Sequence, residues 1–278
     1  MKRKNNVISV LLMIFFIAVA VITLLPLALL AVSSLRPGSD LMRYGLNFSI
    51  DWANANLHEY QMLFSGQNNY FVWYRNSLVI TVVQVTLALL LSACVGYGFA
   101  MYDFKFKNAI FVCVLLVMMV PTEVILLPLY RLISGMKLTN SMWGVILPYT
   151  VVPMLIFFFR QYLSGISKEF VEAARVDGAG KLRQFKDITL PLLTPTIFFN
   201  LVMQMINGFL AFTQSYIITQ GRPMNSTLFY TVYMYQQSFE FYNTGYGAML
   251  AWIMLAIVGM ITLVLFATKK FWVYEGGF

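Results

Sequence analysis

Three groups of polar residues in this sequence are placed where they could take part in chemistry or couple this chain to a partner that performs it. Glu123 is the one acidic residue of the otherwise apolar stretch from Asn108 to Tyr130. The segment EAARVDGAGKLRQFKDITLP, residues 172–191, contains two short amphipathic patterns joined at a glycine. Four amides are spaced by four, three and seven residues and therefore share one helical face: Asn200, Gln204, Asn207 and Gln214.

Signatures of catalysis and of metal binding are missing from the sequence. It contains no nucleophile–base pattern, no glycine-rich phosphate loop and no metal-ligand spacing. The single histidine, His58, has no clustered carboxylates or thiols beside it, which argues against a metal site. Cys94 and Cys113 fall within predicted helices and are most simply packing residues. We therefore predict that this chain binds no cofactor or metal and that another subunit supplies the chemistry that drives it.

The composition is that of a membrane protein. The chain is 60% hydrophobic and only 11% charged, whereas soluble domains have roughly 25% charged residues. A transmembrane helix needs about 20 mostly apolar residues. The sequence therefore predicts a single all-α polytopic membrane domain over residues 1–278, with six spanning helices near 8–32, 77–101, 109–130, 142–160, 195–219 and 244–268.

Lysine and arginine in the loops predict the orientation, because cytoplasmic loops carry an excess of both. With the N-terminus inside, 13 of the 19 basic residues are cytoplasmic. Both termini are then cytoplasmic, segment 33–75 is external and loop 161–193 is cytoplasmic. The first apolar run is too long for a cleavable signal peptide. The net charge of +8 is dispersed over these loops and does not indicate nucleic-acid binding.

Residues inside the predicted spans indicate helix packing and a polar pathway. Ser92, Gly96 and Ala100 recur every four residues, a small-residue pattern that lets helices approach closely. The amide row must face away from lipid, either as hydrogen-bonding contacts between helices or as a pathway lining. Glu123 follows Pro121, so it either lines a pathway or caps a broken helix.

Loop 161–193 reads as a pair of short helices. Ser167 can cap the first, Glu169 lies in its first turn, and Gly178 ends it. The second is predicted from Ala179 to about Ile188. Each is shorter than the roughly 12–15 residues at which an isolated helix becomes marginally stable. The pair must therefore dock, either in a cleft of a partner or on the membrane surface.

The motif EAARVDGAG followed by ITLP resembles the signature loop of ABC-type import permeases, and its D-G-A resembles the sugar-uptake branch. Further stretches are similar to that branch, namely NSLVIT at 76–81, VPTEVILLPLY at 120–130, VILP at 145–148, FFFRQYL at 157–163 and GRPMNSTLFYTVYMYQ at 221–236. The resemblance implies one half of a permease heterodimer in a bacterial or archaeal cytoplasmic membrane. It also implies two ATP-hydrolysing subunits, which use ATP and Mg²⁺, and an extracytoplasmic sugar-binding protein.

The resemblance also implies roles for particular residues. It places Glu123 near the pathway, and Asn207 where sugar permeases commonly have Trp-Asn, although here Ile206 replaces the aromatic residue. Gln204 and Gln214 join these two as pathway candidates because they lie on the same amide row. The motif that couples transport to the ATPase corresponds to Glu172, Ala173, Ala174, Asp177 and Gly178.

Two other classes of transporter remain open. An ion-coupled secondary carrier would need ionisable residues within the membrane, and only Glu123 qualifies. An ABC permease for a non-sugar solute, such as glycerol phosphate, a peptide or an amino acid, would share the loop motif. An anionic substrate favours basic groups along the pathway, and no predicted span core contains lysine or arginine.

Overall fold

The computed structural model of the chain describes residues 2–36, 45, 48, 60–61, 63, 70–166, 169–221 and 225–274, and every regular element among these is helical. The all-α prediction is therefore confirmed. His58 and most of the predicted external segment 33–75 lie outside the described residues.

Long helices alternate with short ones along the described residues. In chain order they are α1 (Lys2–Ser33), α2 (Tyr70–Met101), α3 (Lys107–Met118), α4 (Thr122–Gly135), α5 (Met142–Ile146), α6 (Pro153–Gly165), α7 (Glu169–Val176), α8 (Lys181–Gln184), α9 (Leu190–Phe209), α10 (Tyr230–Tyr235) and α11 (Thr244–Trp272). A 3₁₀ turn covers Leu147–Tyr149, and wider π turns cover Phe185–Thr189, Gln214–Thr219 and Gln236–Glu240.

Five helical stretches are long and apolar enough to cross a membrane, and their bounds are Ile8–Ser33, Tyr70–Met101, Met142–Gly165, Lys181–Phe209 and Thr244–Trp272. A sixth span is obtained if α3 and α4 are counted as one bent pair. The six-span prediction therefore holds when the pair counts as one span.

The third predicted span, 109–130, is not a straight helix. The chain bends by 102° between α3 and α4. Pro121 lies at the bend in an extended conformation, with φ −59° and ψ 133°. Proline has no N–H to donate and disfavours a helical conformation in the residue before it, so the helix ends at Met118 and restarts at Thr122.

The boundaries predicted for the fifth span, 195–219, are wrong at both ends. The helix begins at Lys181, passes through the π turn Phe185–Thr189 and ends at Phe209. Within the π turn, the Leu190 N–H donates to the Phe185 carbonyl. The turn directly precedes Pro191, whose ring crowds the carbonyl four residues earlier, so a widened turn lets the helix continue. Gln214 lies beyond the end of this helix, in a separate π turn.

Contacts divide the chain into two compact units. The first comprises Met1–Tyr70 with Tyr233–Ile257, and the second comprises Phe71–Val232 with Val258–Phe278. In the first unit, Tyr60 donates a hydrogen bond of 2.9 Å to the Ser34 hydroxyl, and the Tyr233 and Tyr246 hydroxyls are 3.2 Å apart. The single domain predicted over 1–278 stays a prediction.

The core of the second unit lies where α2, α6 and the start of α9 meet. Its buried residues are Ala88, Leu155, Phe159, Leu163, Ile166, Leu192 and Leu193. A Cβ on Gly96 would lie only 2.6 Å from the Phe159 Cβ, so α2 and α6 can pack this closely only with glycine there. Ser92 accepts a 3.4 Å hydrogen bond from the Val152 N–H at the same crossing. The small-residue pattern thus serves helix packing, as its spacing indicates.

Candidate functional site

Helix α7 and the turn that follows it form a well-defined structural element, which we call the coupling segment (residues 169–180). Gly178 adopts φ +77°, the left-handed conformation that glycine adopts without strain. The Gly178 N–H donates to the Arg175 carbonyl at 3.1 Å, and the Ala179 N–H donates to the Ala174 carbonyl at 2.9 Å. These two bonds make a complete Schellman cap. The predicted helix end at Gly178 is confirmed, whereas the predicted cap Ser167 lies outside the described residues.

The coupling segment and the residues after it expose apolar side chains. Val176 is 86% exposed and Leu182 is 81% exposed. Glu172 and Ala173 are also exposed, whereas Ala174 is half-buried. An eight-residue helix cannot hold its shape by itself, so this uncovered surface is suited to a partner. The predicted coupling residues Glu172, Ala173, Ala174, Asp177 and Gly178 all lie on this one element.

The second helix predicted in the loop, Ala179 to about Ile188, is not a separate helix. Residues 181–189 form the first turns of the span that ends at Phe209. The Gln184 side-chain amide donates to the Ala179 carbonyl at 2.6 Å, which ties the coupling segment to the first turn of that span. The coupling segment is therefore joined to a membrane helix by a short turn and this side-chain hydrogen bond.

A cavity of about 570 Å³ lies behind the coupling segment, and we call it the loop cavity. It is bounded by the coupling segment, the ends of α2 and α6, and the first turns of the fifth span. The residues that line it are Tyr97, Ala100, Met101, Tyr102, Leu163, Ser164, Ile166, Glu172, Arg175, Lys181, Gln184 and Thr189.

The four amides predicted to share one helical face do not form one row. Asn200, Gln204 and Asn207 share α9, but their burial falls along it: Asn200 is buried, Gln204 is half-buried and Asn207 is exposed. The buried Asn200 amide donates to the Thr196 carbonyl of its own helix at 2.9 Å. Gln214 is separated from these three residues by the end of the helix at Phe209. The single row predicted for the four amides is therefore wrong, because α9 stops before Gln214.

Glu123 is exposed and lies in the first turn of α4, directly after the 102° bend. A carboxylate at a helix N-terminus is favourably placed with respect to the helix dipole. Among the described residues, none forms a hydrogen bond or ion pair with Glu123. Its position therefore agrees with both predicted roles, the pathway lining and the cap of a broken helix.

A buried cluster of hydroxyls that sequence reasoning missed lies near the start of α10. The Ser215 hydroxyl donates to the Thr227 carbonyl at 2.5 Å and accepts from the Phe229 N–H at 3.4 Å. The Thr227 hydroxyl donates to Thr219 at 2.8 Å, and Thr231 bonds the Ala211 carbonyl.

The segment that carries this cluster is also tied to α2. The Asn76 side chain donates to the Asn225 carbonyl at 3.0 Å, and the Tyr230 N–H donates to Ser77 at 2.9 Å. The signal in the sequence was the hydroxyl-rich stretch between Asn225 and Thr231. Its hydroxyl partners lie 8–20 residues away, whereas its partners on α2 are about 150 residues away in the chain.

Arg160, at the end of the predicted span 142–160, packs against another helix. Its guanidinium carbon lies 3.6 Å from the centre of the Phe111 ring, which joins α6 to α3 by a cation–π contact. The Arg160 Nε is buried and forms no hydrogen bond within the described part of the chain. Arg160 is thus the basic residue within the Met142–Gly165 span, close to its end.

Comparison with known proteins is consistent with this arrangement. The family described as "Binding-protein-dependent transport system inner membrane component" matches residues 88–270, which include the coupling segment and the loop cavity. The arabinooligosaccharides transport system permease protein AraQ of Bacillus subtilis is 37% identical over 267 residues, which cover 96% of this chain and 93% of AraQ.

Two solved structures share the fold. One is a bacterial ABC transporter involved in the import of the acidic polysaccharide alginate, with a TM-score of 0.78 and 17% identity over 97% of this chain and 98% of that chain. The other is a bacterial alginate ABC transporter in complex with an alginate pentasaccharide-bound periplasmic protein. Its TM-score is 0.68, with 14% identity over 96% of this chain and 95% of that chain.

Proposed function

Because this chain belongs to the binding-protein-dependent transport system inner membrane components, we propose that it is the permease subunit of an ATP-driven importer of a sugar, with an oligosaccharide as the substrate. The substrate class is supported by the similarity to AraQ over nearly the full length of both chains. The sequence contains no glycine-rich phosphate loop, and we assign ATP and Mg²⁺ to separate ATPase subunits.

The observation that carries the proposal is the exposed coupling segment, which ends in a complete cap and is attached to a membrane helix. Glu172, Ala173 and Ala174 lie on a short helix whose end is fixed by the cap at Gly178. The small side chains of Ala173 and Ala174 allow the helix to enter a groove, while Val176 and Leu182 offer exposed apolar anchors beside it. We assign this surface to the ATPase subunit.

The transport step follows from the same geometry. Closure of two ATPase subunits draws two coupling segments together, one from this chain and one from a second, homologous permease. Since the segment continues into the span Lys181–Phe209, that helix moves with it as a rigid body. Rigid-body motion of packed helices between two arrangements is a common way to open a pathway alternately to each side.

We place the substrate pathway along the exposed end of α9 and the start of α4. Asn207 is exposed and Gln204 half-buried within an apolar helix, so a polar surface next to them is needed to avoid contact with lipid. The second permease subunit and the substrate can supply that surface. Glu123 at the α3–α4 bend is the acidic member of this set, and Gln214, in the π turn after α9, is its fourth member.

The proposed topology places both termini and the coupling segment in the cytoplasm. An extracytoplasmic sugar-binding protein then delivers substrate from the opposite side. The excess of lysine and arginine in loop 161–193 supports this orientation.

The test is uptake of a labelled arabinose-containing oligosaccharide by vesicles that contain the complete transporter and its binding protein. We expect uptake to require ATP and to stop when the ATPase subunits carry a substitution that prevents hydrolysis. Competition by unlabelled oligosaccharides of other sugars then defines the substrate class. Uptake that persists without ATP hydrolysis but collapses with the proton or sodium gradient would instead indicate an ion-coupled carrier.

A further inference from the structure

The loop cavity contains cations that the coupling role does not use. Arg175 and Lys181 both line it, and among the described residues of its lining Glu172 is the only carboxylate. Neither cation forms an ion pair with any described residue. Elsewhere, Arg183 is 3.4 Å from Asp187 and Lys107 is 3.1 Å from Asp103. The lining therefore carries an excess positive charge that is available to an anion.

The rest of the lining matches an amphipathic ligand. Tyr97, Tyr102 and Ser164 provide hydroxyl donors, and none of the three donates a hydrogen bond to a described residue. The lining also contains the apolar side chains of Ala100, Met101, Leu163 and Ile166. At about 570 Å³, the space far exceeds the roughly 30 Å³ that one water occupies in the liquid.

The cavity lies at the level where two spans end. Helix α2 ends at Met101 and the span Met142–Gly165 ends at Gly165, and residues beside both ends line the cavity. Helix C-termini carry partial negative charge. A preference of this cavity for anions must therefore come from Arg175 and Lys181.

We propose that the loop cavity binds the phosphodiester headgroup of an anionic membrane lipid. Its phosphate pairs with Arg175 and Lys181, its hydroxyls bond the tyrosines and Ser164, and the apolar side chains of the lining hold the glycerol backbone. A basic pocket between membrane helices on the cytoplasmic side is a typical site for such headgroups. The inference rests on the proposed function in one respect, because it requires the coupling segment to face the cytoplasmic leaflet. The bound lipid would brace the coupling segment against the two span ends.

The test uses the complete transporter in vesicles of phosphatidylcholine, with or without phosphatidylglycerol. Native mass spectrometry measures the fraction of transporters that retain phosphatidylglycerol after transfer to detergent. We expect Arg175→Gln with Lys181→Gln to weaken retention by about five-fold for each cation removed, the attraction that one basic residue contributes near a membrane surface. Arg183→Gln with Lys186→Gln is the matched control, since it removes two cations of the same loop that do not line the cavity.

Each outcome decides one part of the proposal. Equal retention by the cavity variant and the control variant would overturn it. Displacement of the lipid by millimolar inorganic phosphate, with the same dependence on Arg175 and Lys181, would overturn the lipid source and support a soluble phosphate compound. The readout does not involve transport, so a failure of the sugar proposal leaves this result intact. A loss of ATP-coupled uptake without a change in lipid retention would likewise separate the transport proposal from the lipid proposal.

Discussion

The cap at Gly178 gives the sharpest mutational test of the coupling segment. Gly178 has φ +77°, and a Cβ placed there meets no atom within 4 Å, so alanine changes only the backbone preference. A non-glycine residue in the left-handed region costs about 1–2 kcal/mol. That penalty corresponds to a roughly 5–30-fold fall in the ratio of folded to unfolded forms of a local element. The eight residues of α7 have little stability of their own with which to absorb it.

Gly180 is the matched control two residues away. Its φ is −65° and its ψ is 162°, a conformation open to any residue, and a Cβ there also meets no atom within 4 Å. Glycine to alanine at such a position stabilises by about 0.4–1 kcal/mol through the unfolded state. The two substitutions are therefore chemically identical but should change stability in opposite directions, with a loss for Gly178→Ala and a gain for Gly180→Ala.

The assay is sugar uptake and ATP hydrolysis by the reconstituted transporter, with and without its binding protein. We expect Gly178→Ala to reduce uptake by up to roughly 5–30-fold and to weaken the stimulation of ATP hydrolysis by the binding protein. Gly178→Pro removes the N–H that donates to Arg175 as well, so it should abolish both. Gly180→Ala should leave both at the wild-type level. Equal effects of the two alanine substitutions, or full activity of Gly178→Pro, would refute the role given to the cap.

Three further predictions concern α9, the helix crossing and the hydroxyl cluster. Asn207→Ala and Gln204→Ala should change uptake and oligosaccharide preference. Asn200 is buried, so Asn200→Ala should lower stability instead. Unchanged uptake in the Asn207 and Gln204 variants would make those amides packing residues. Gly96→Val should destabilise the chain by about 1–3 kcal/mol through overpacking against Phe159. The control Gly98→Ala should not, because a Cβ on Gly98 meets no atom within 4 Å. Equal thermal unfolding midpoints of these two variants would contradict the tight crossing. Ser215→Ala should cost about 1–3 kcal/mol because it removes two buried hydrogen bonds, with the exposed Ser134→Ala as control.

Local features of the fold were predictable from the sequence, whereas features that depend on distant residues were not. Gly178 ends α7 because glycine tolerates the left-handed conformation, and this rule acts over a few residues. Apolar runs of sufficient length likewise predicted the membrane helices, because an apolar run is also a local feature of the sequence. Pro121 and Pro191 both interrupt helical hydrogen bonding, yet one ends a helix and the other is accommodated by a π turn.

The tertiary contacts around Pro191 decide between these results, and a single sequence does not contain them. Leu192 and Leu193 are buried against α6 directly after Pro191, so packing holds the helix together there. The tie between α2 and the segment that carries the hydroxyl cluster was missed for a related reason. Asn76 and Asn225 are joined across 149 residues, and no spacing rule links such positions.

The most direct test of the coupling role is site-specific cross-linking from the coupling segment to the ATPase subunit. Val176→Cys and Leu182→Cys place thiols at the most exposed apolar positions of the loop, in a background where Cys94 and Cys113 are replaced by serine. We expect both to cross-link to the ATPase subunit with a short bifunctional reagent, and the yield to change when a non-hydrolysable ATP analogue is bound. Leu263→Cys, which is 71% exposed but lies in the last membrane helix, should not cross-link. Absence of cross-links at Val176 and Leu182, or equal yields at Leu263, would contradict the account.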